Sequence, residues 1–367
     1  MATGDGLLAR LRPVGNRLTP AQLTDLARLA LEHGNGLVEI TARGNLQVRG
    51  LTPQSAPRFA RAAATVIAVD TGPVIAVSPL MGDDPTEKAD PTPLFERLHR
   101  EAAPLTARLG PKVSVVLDGG GQLPLAALKA DIRLYAEDAT NWAVTLGGAA
   151  PLRLDGDGAV TAALALLRAL AALGPAARAT DLFPSTARAS ENGGQPDLPM
   201  RLRRRRGHAI AIALPFGQVH GDALVALARR CAAAGVATLR LAPGHALLLD
   251  DAPDALVEAA AALGFITDPR DPRRRVSACI GSAGCAAGHI AARRVAASLA
   301  PLLPEGRQLH VSGCSKGCAH PRPAAFTLVG RPDGVGLVIA GRAGDTPEEI
   351  RSEAALPAAL AARWENR

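Results

Sequence analysis

At 367 residues, 48% apolar and 20% charged, the chain has the balance of a soluble globular protein of roughly two or three domains, which excludes collagen-like, mucin-like and wholly disordered classes. A formal charge of +7, from Lys+Arg 41 against Asp+Glu 34, suits an acidic partner: nucleic acid, an acidic protein or a polycarboxylate small molecule. Six Phe, two Trp and one Tyr are too few for base-stacking platforms, and no uninterrupted apolar run reaches the roughly 18–20 residues of a membrane span, so neither nucleic acid nor a membrane is an expected partner. The opening Met1-Ala2-Thr3-Gly4-Asp5-Gly6 has neither a charged n-region nor an apolar h-region, which makes the cytoplasm the expected compartment. The arginine runs Arg203–Arg206 and Arg273–Arg275 are expected to be solvated stretches.

In chain order, Leu7–Arg12 has the pattern of a strand. Thr19 then caps a helix with Pro20 at its first position and Gln22 closing a capping box, and Leu23, Leu26, Ala27 and Ala30 give it one apolar face up to Gly34. Two strands follow, Leu37–Thr41 and Leu46–Arg49, about a turn at Ala42-Arg43-Gly44. A mixed region comes next: strands at Val74–Val77, Val113–Leu117, Ala130–Tyr135 and Trp142–Leu146, and helices at Thr92–Leu109 and Ala159–Leu173. Asp118-Gly119-Gly120-Gly121 lacks the Gly-Lys-Ser/Thr end of a P-loop and the full dinucleotide fingerprint, so it is expected to be a tight turn. The stretch Ala187–Asp197, with Ser190-Glu191-Asn192-Gly193-Gly194-Gln195-Pro196 at its centre, is expected to be a linker. The first pattern then recurs about 200 residues on: strand His208–Leu214, helix Gly221–Ala233 ended by Gly235, strand Ala237–Leu241, turn Pro243-Gly244, strand Ala246–Leu249. Two strand–helix–strand–strand units imply one pseudo-symmetric domain. Strand alternation puts Asn45, Gln47 and Arg49 on one face, which is either a polar, cationic surface for a carboxylate-bearing ligand or a solvated edge.

Four of the five cysteines lie between residues 279 and 318, as Cys279-x5-Cys285 and Cys314-x3-Cys318 with 28 residues between the pairs. Four thiolates in two close pairs can hold a tetrahedral metal or a [4Fe–4S] cluster; structural zinc favours gaps of about two to four within a pair, so the first gap disfavours zinc. Neighbouring Gly281, Gly284, Gly313 and Gly317 allow backbone to approach inorganic sulfide closely. Cys231, alone on the second unit's helix, is expected to be a buried core thiol. No nicotinamide or flavin site is visible, so reducing equivalents are expected from a partner protein.

The cysteine spacing and the duplicated unit resemble the sirohaem- and cluster-containing sulfite and nitrite reductases. Within Thr41–Gly50, Arg43 and Gln47 match positions that contact the macrocycle's carboxylates in that family. Arg12 lies in a segment that also supplies an arginine, and Pro111-Lys112-Val113-Ser114 resembles a lysine-bearing segment whose second lysine is Ser114 here. Thr3–Leu8, Ser78–Gly82, Val113–Gly121 and His310–Pro321 are similar to one branch, the precorrin-3B synthases.

The resemblance implies an α+β chain: ferredoxin-like half-domains at 1–68 and 201–268, α/β domains at 69–186 and 269–367, and a linker at 187–200. It implies an O2-dependent monooxygenase that hydroxylates precorrin-3A at C20 and forms a γ-lactone from the ring A acetate. NADH is the formal donor, through an electron-donor reductase, and the second oxygen atom leaves as water. Cys279, Cys285, Cys314 and Cys318 would hold the [4Fe–4S] cluster. Arg12, Arg43, Asn45, Gln47, Arg49, Lys112 and Arg240 would bind the polycarboxylate substrate. An additional non-haem iron would look to His320 or His245. Two other readings stand beside it: a sirohaem-dependent sulfite or nitrite reductase with Cys318 bridging cluster and haem, and a basic iron–sulfur binding module that is not an enzyme.

Overall fold

The computed structural model describes residues 2–184 and 198–364. Of the linker expected at 187–200, residues 187–197 lie outside the described residues. The first repeat forms as its sequence pattern requires. Thr19 Oγ1 accepts from Gln22 N–H (3.2 Å) and the Gln22 side chain accepts from Thr19 N–H (2.9 Å), closing the capping box on helix Pro20–His33. Its apolar face, Leu23, Leu26, Ala27 and Ala30, is buried.

Each repeat's sheet is completed by a strand of the other. The first runs Ala2–Thr3, Gly6–Leu11, Leu46–Leu51, Leu37–Ile40 and then Gln218–His220 from the second repeat. The second runs Arg201–Arg203, His208–Ala213, Ala246–Asp250, Leu239–Ala242 and then Arg17–Leu18 from the first. The exchange gives both sheets a paired edge and joins their apolar faces into one core, in which Leu23 and Leu26 share a cluster with Leu224 and Leu227. Cys231 belongs to that core, fully buried, and burial pushes its thiol up to about 12. At the centre of the exchange the two turns meet: Gly244 N–H donates to Ala42 O (3.1 Å).

The duplication extends beyond the two repeats. After the first comes a sheet in the order Ile75–Val77, Val115–Asp118, Ile132–Ala136, Asn141–Leu146, Leu152–Asp155; the first two pairings are parallel and the last two antiparallel. After the second comes Val276–Ala278, Leu309–Ser312, Ala324–Arg331, Gly334–Gly341, Glu349–Arg351, with the same order and the same directions. Each has a helix between its first two strands (Thr92–Ala102, Ala292–Leu299) and another after its last (Gly156–Leu173, Leu356–Trp364).

Helix Gly156–Leu173 is long and apolar enough by composition to cross a membrane, but its Val160, Leu164, Leu167 and Leu170 are buried in the core of the first of these sheets, the position of a core helix. The helix expected over Thr92–Leu109 tightens to 3₁₀ turns from Ala103, where Pro104 removes a backbone donor. Strand Leu152–Asp155 and helices Ser55–Val66 and Asp254–Ala262 escaped the sequence pattern.

Candidate functional site: a cysteine-lined cationic cavity

Strands Val276–Ala278 and Leu309–Ser312 run parallel and side by side, so the loops leaving their C-terminal ends emerge together. The first loop carries Cys279 and Cys285, the second Cys314 and Cys318, and all four side the same cavity of about 810 Å³. That volume is at the upper end of small-molecule sites. Gly313 N–H donates to Cys279 Sγ (3.0 Å). The N-terminal hairpin seals one flank, with Ala286 N–H donating to Gly4 O (3.1 Å). A Cβ at Gly4 would stand 2.4 Å from Cys285 Sγ, so only glycine admits that sulfur.

The donor set suits an iron–sulfur group. Burial pushes the Cys318 thiol up, and the neighbouring sulfurs of Cys279, Cys314 and Cys285 push it further, the mutual repulsion of like charges held close together. Among the described residues no three His, Cys, Asp or Glu side chains gather closely enough to hold a single metal ion. A polynuclear cluster is itself a body whose corners meet the thiolates, so its ligands stand farther apart than those of one ion.

His245 and His320 are the histidines to which an additional iron was expected to look. Both histidines line the cavity. His245 Nδ1, however, is bound to Ile40 O (2.6 Å), and His320 Nε2 lies 3.4 Å from Pro323 O. Burial pushes both imidazoles down, toward the neutral form.

Most residues expected to bind the ligand are placed elsewhere. Arg12 donates to Gly72 O (2.6 Å) and Pro73 O (3.1 Å), fastening the first repeat to the next segment. Arg43 turns away from the cavity and donates to Lys129 O, within 3.5 Å of Ser114 Oγ. Asn45 sits in the turn, its N–H on Thr41 Oγ1 (3.1 Å). Gln47 is buried, its amide nitrogen placed to donate to Glu39 Oε2 (3.1 Å) and its oxygen to accept from Arg10 Nε (2.8 Å). Lys112 is exposed and off the cavity wall. Arg240 is fully buried and spent on Asp250 (2.7 Å), Asp83 (2.8 Å) and Pro79 O (2.9 Å). Of this set Arg49 alone lines the cavity, gripped by Asp5 (2.7 and 2.8 Å) and Glu39 (3.2 Å); burial opposes its charge, but these carboxylates hold its guanidinium above the usual range.

The cationic wall comes from other residues: Arg274 and Arg275 before strand Val276–Ala278, Arg293 on helix Ala292–Leu299, and Lys316 and Arg322 around the second cysteine pair. Arg293 Nη2 donates to Glu39 Oε1 (3.3 Å), while its Nε is buried without a partner among the described residues. Burial pushes its guanidinium down against the pull of Glu39. The run Arg273–Arg275 is therefore a cavity wall in part and not a solvated stretch. Nor is Arg203–Arg206 simply solvated: Arg204 pairs with Asp83 (2.7 Å) and Asp251 (2.9 Å). Nothing in the periodicity separated these arginines from surface ones. The one available signal was their nearness in sequence to the cysteines.

Comparison with known proteins agrees with this architecture. Residues 1–66 match the model of the nitrite/sulfite reductase ferredoxin-like half domain. The structure of the NirA protein of Mycobacterium tuberculosis superposes with a TM-score of 0.69 over 98% of this chain and 80% of that one, at 21% identity, a likeness of fold. A relative from Sinorhizobium sp, named Precorrin-3B synthase, is 39% identical over 391 residues, covering 98% of this chain and 85% of the relative. The nitrite/sulfite reductase superfamily is one of iron–sulfur and sirohaem-type binding. With that identity sustained across nearly its whole length, this chain belongs to the precorrin-3B synthase family.

Proposed function

We propose that the protein hydroxylates precorrin-3A at C20 with O2 and closes a γ-lactone from the ring A acetate, a monooxygenase step of aerobic cobalamin biosynthesis. One oxygen atom enters the product. The other leaves as water, with electrons drawn formally from NADH through a partner reductase. The observation that carries the reading is one cavity lined both by Cys279, Cys285, Cys314 and Cys318 and by arginine and lysine side chains. Precorrin-3A is a conjugated ring with carboxylates on its rim, and it needs both an apolar bed and cations at its edge.

Cys279, Cys285, Cys314 and Cys318 would hold a [4Fe–4S] cluster, which when bound passes single electrons. The chain's other residues bind and orient. Arg274, Arg275 and Arg293 bring guanidinium charge to the cavity wall to attract carboxylates, with Lys316 and Arg322 adding to it. Glu39, held by Arg49 and Arg293, keeps these two cations fixed. Because His245 Nδ1 faces a carbonyl oxygen, its proton sits there and Nε2 is left as the ring's acceptor, able to receive a proton in the cavity.

The test is anaerobic reconstitution with iron, sulfide and sirohaem, desalting, and absorption with metal analysis, followed by turnover of precorrin-3A under isotopically labelled dioxygen. The expected result is a brown protein with about four irons, no retained haem bands, and one labelled oxygen atom in the product. Retained sirohaem would shift the reading to sulfite or nitrite reduction. A colourless protein would end both.

A further inference from the structure

The two repeats can be laid over one another residue by residue through the exchanged strands, Arg17–Leu18 against Gln218–His220, and the helices that follow. Just before each exchanged strand the chain makes the same unusual turn, two consecutive residues with left-handed backbone. In the first repeat these are Gly15 (φ 69°, ψ 10°) and Asn16 (φ 53°), residue types that adopt this conformation readily. In the second they are Phe216 (φ 54°, ψ 26°) and Gly217 (φ 77°). The second repeat thus places a bulky aromatic where its own sister copy has glycine. Strain of this kind persists only where the surroundings enforce it, and it gathers at functional sites.

The surroundings do enforce it. A Cβ at Gly217 would stand 2.3 Å from His245 Nδ1, so the pair cannot exchange its order and leave the glycine elsewhere. Phe216 rests against the core of the C-terminal unit and lines the cavity. Among the described residues it is the one Phe, Trp or Tyr on that wall, in a chain with nine such residues. Arg274 and His245 line the same cavity. An aromatic side chain and guanidinium groups on one cavity wall are the combination that a flat conjugated ring with rim carboxylates requires, the ring on the apolar face and a carboxylate on a cation.

We propose that Phe216 is a positioning residue whose ring stacks on the plane of the bound tetrapyrrole, held in place by its left-handed turn. The inference rests on the reading of this cavity as the tetrapyrrole site. Its test uses reconstituted full-length protein and uroporphyrin III, an octacarboxylate tetrapyrrole, followed by absorption shift and fluorescence quenching. Wild type is expected to bind with both signals. Phe216→Leu should lose the absorption shift and bind about tenfold more weakly, with an unchanged iron content. Phe216→Tyr should restore both signals. Phe216→Gly, which copies the sister repeat and relieves the turn, should fold and behave as the leucine variant does. A purely structural wedge would lower the melting temperature of the leucine variant and leave its shift and affinity at wild-type values, and that result would overturn the proposal. Failure of wild type to bind, or binding indifferent to Arg293→Ala, would instead overturn the tetrapyrrole reading of the cavity and the proposal with it.

Discussion

The two α/β sheets share strand order, strand direction and flanking helices, yet the loops at the ends of their first two strands do opposite things. In the N-terminal copy these loops close on themselves. Asp118 accepts from Gly120 N–H and Leu125 N–H (both 2.9 Å), and Asp84 accepts from Gln122 N–H (2.7 Å) and Thr86 N–H (2.8 Å). Both carboxylates are buried and satisfied, and the Gly-rich stretch is the tight turn its sequence implied. In the C-terminal copy the equivalent loops carry Cys279, Cys285, Cys314 and Cys318 and open onto the cavity. Thiols ask little of backbone donors, so loops built around them can leave their side chains facing outward. Carboxylates draw the backbone around themselves. One fold therefore serves as a scaffold twice and as a candidate reaction site once.

The largest effect expected on this contrast comes from Cys314→Ser. It should abolish the iron–sulfur absorption of the reconstituted protein while circular dichroism shows the fold intact. Asp118→Asn, at the end of the matching strand in the other copy, should leave that absorption in place. A retained spectrum in the serine variant would remove Cys314 from the ligand set.

Next in size is Arg240. Fully buried among Asp83, Asp250 and Pro79 O, it holds the second repeat to the segment after strand Ile75–Val77. Arg240→Ala strips Asp250 and Asp83 of their buried partner, leaves only Arg204 to face them and should cost about 2–4 kcal/mol in urea unfolding, with uroporphyrin III affinity unchanged where the protein is still folded. Normal stability with weakened binding would return Arg240 to the ligand-binding set. Asp118→Asn should cost less, about 1.5–3 kcal/mol, because it weakens two charge-assisted bonds without stranding a charge; no measurable loss would mean that the N-terminal loops do not depend on their carboxylates.

Arg240 also shows what a sequence can and cannot display. Local rules placed the first repeat closely: Thr19, Pro20 and Gln22 are a start signal that acts within one turn of helix, and the spacing of Leu23, Leu26, Ala27 and Ala30 is set by helical period alone. The cysteine pairs were legible for a similar reason, since their loops follow adjacent parallel strands. The arginines were not. Arg43 lies in the turn and Arg49 on the strand that follows it, yet Arg43 reaches Lys129 O and Arg49 reaches Asp5, and those partners are far away in sequence. A guanidinium on a long stem goes where the folded chain offers an oxygen, and alternation along a strand says nothing of that. The strand exchange was hidden too, because Arg17–Leu18 and Gln218–His220 are too short to carry a pattern.

The smallest effect tests the closed loops through pH. Glu87 lies beside Asp84 in the N-terminal copy. Gly82 N–H donates to its Oε2 (3.1 Å), and its Oε1 is buried without a partner among the described residues. Burial, with the negative charges of Asp84 and Asp90, pushes its carboxyl from 4.5 up to about 7, despite the Gly82 bond and Arg205. The folded chain therefore keeps a proton that the unfolded chain has released between about pH 4.5 and 7. With more protons on the native state, stability must fall as pH rises across that window, and then level off. Glu87→Gln keeps the neutral shape and should flatten this component of the slope in thermal melts, raising the melting temperature at pH 8 relative to wild type and leaving it nearly unchanged at pH 4. Iron content should be the same in both proteins, because the group belongs to the copy without cysteines. A wild-type slope that survives the substitution would place the proton elsewhere. An altered iron content would show that the closed loops and the open ones are coupled through the second repeat, which Arg205 joins to Glu87's loop by donating to Gly82 O (3.1 Å).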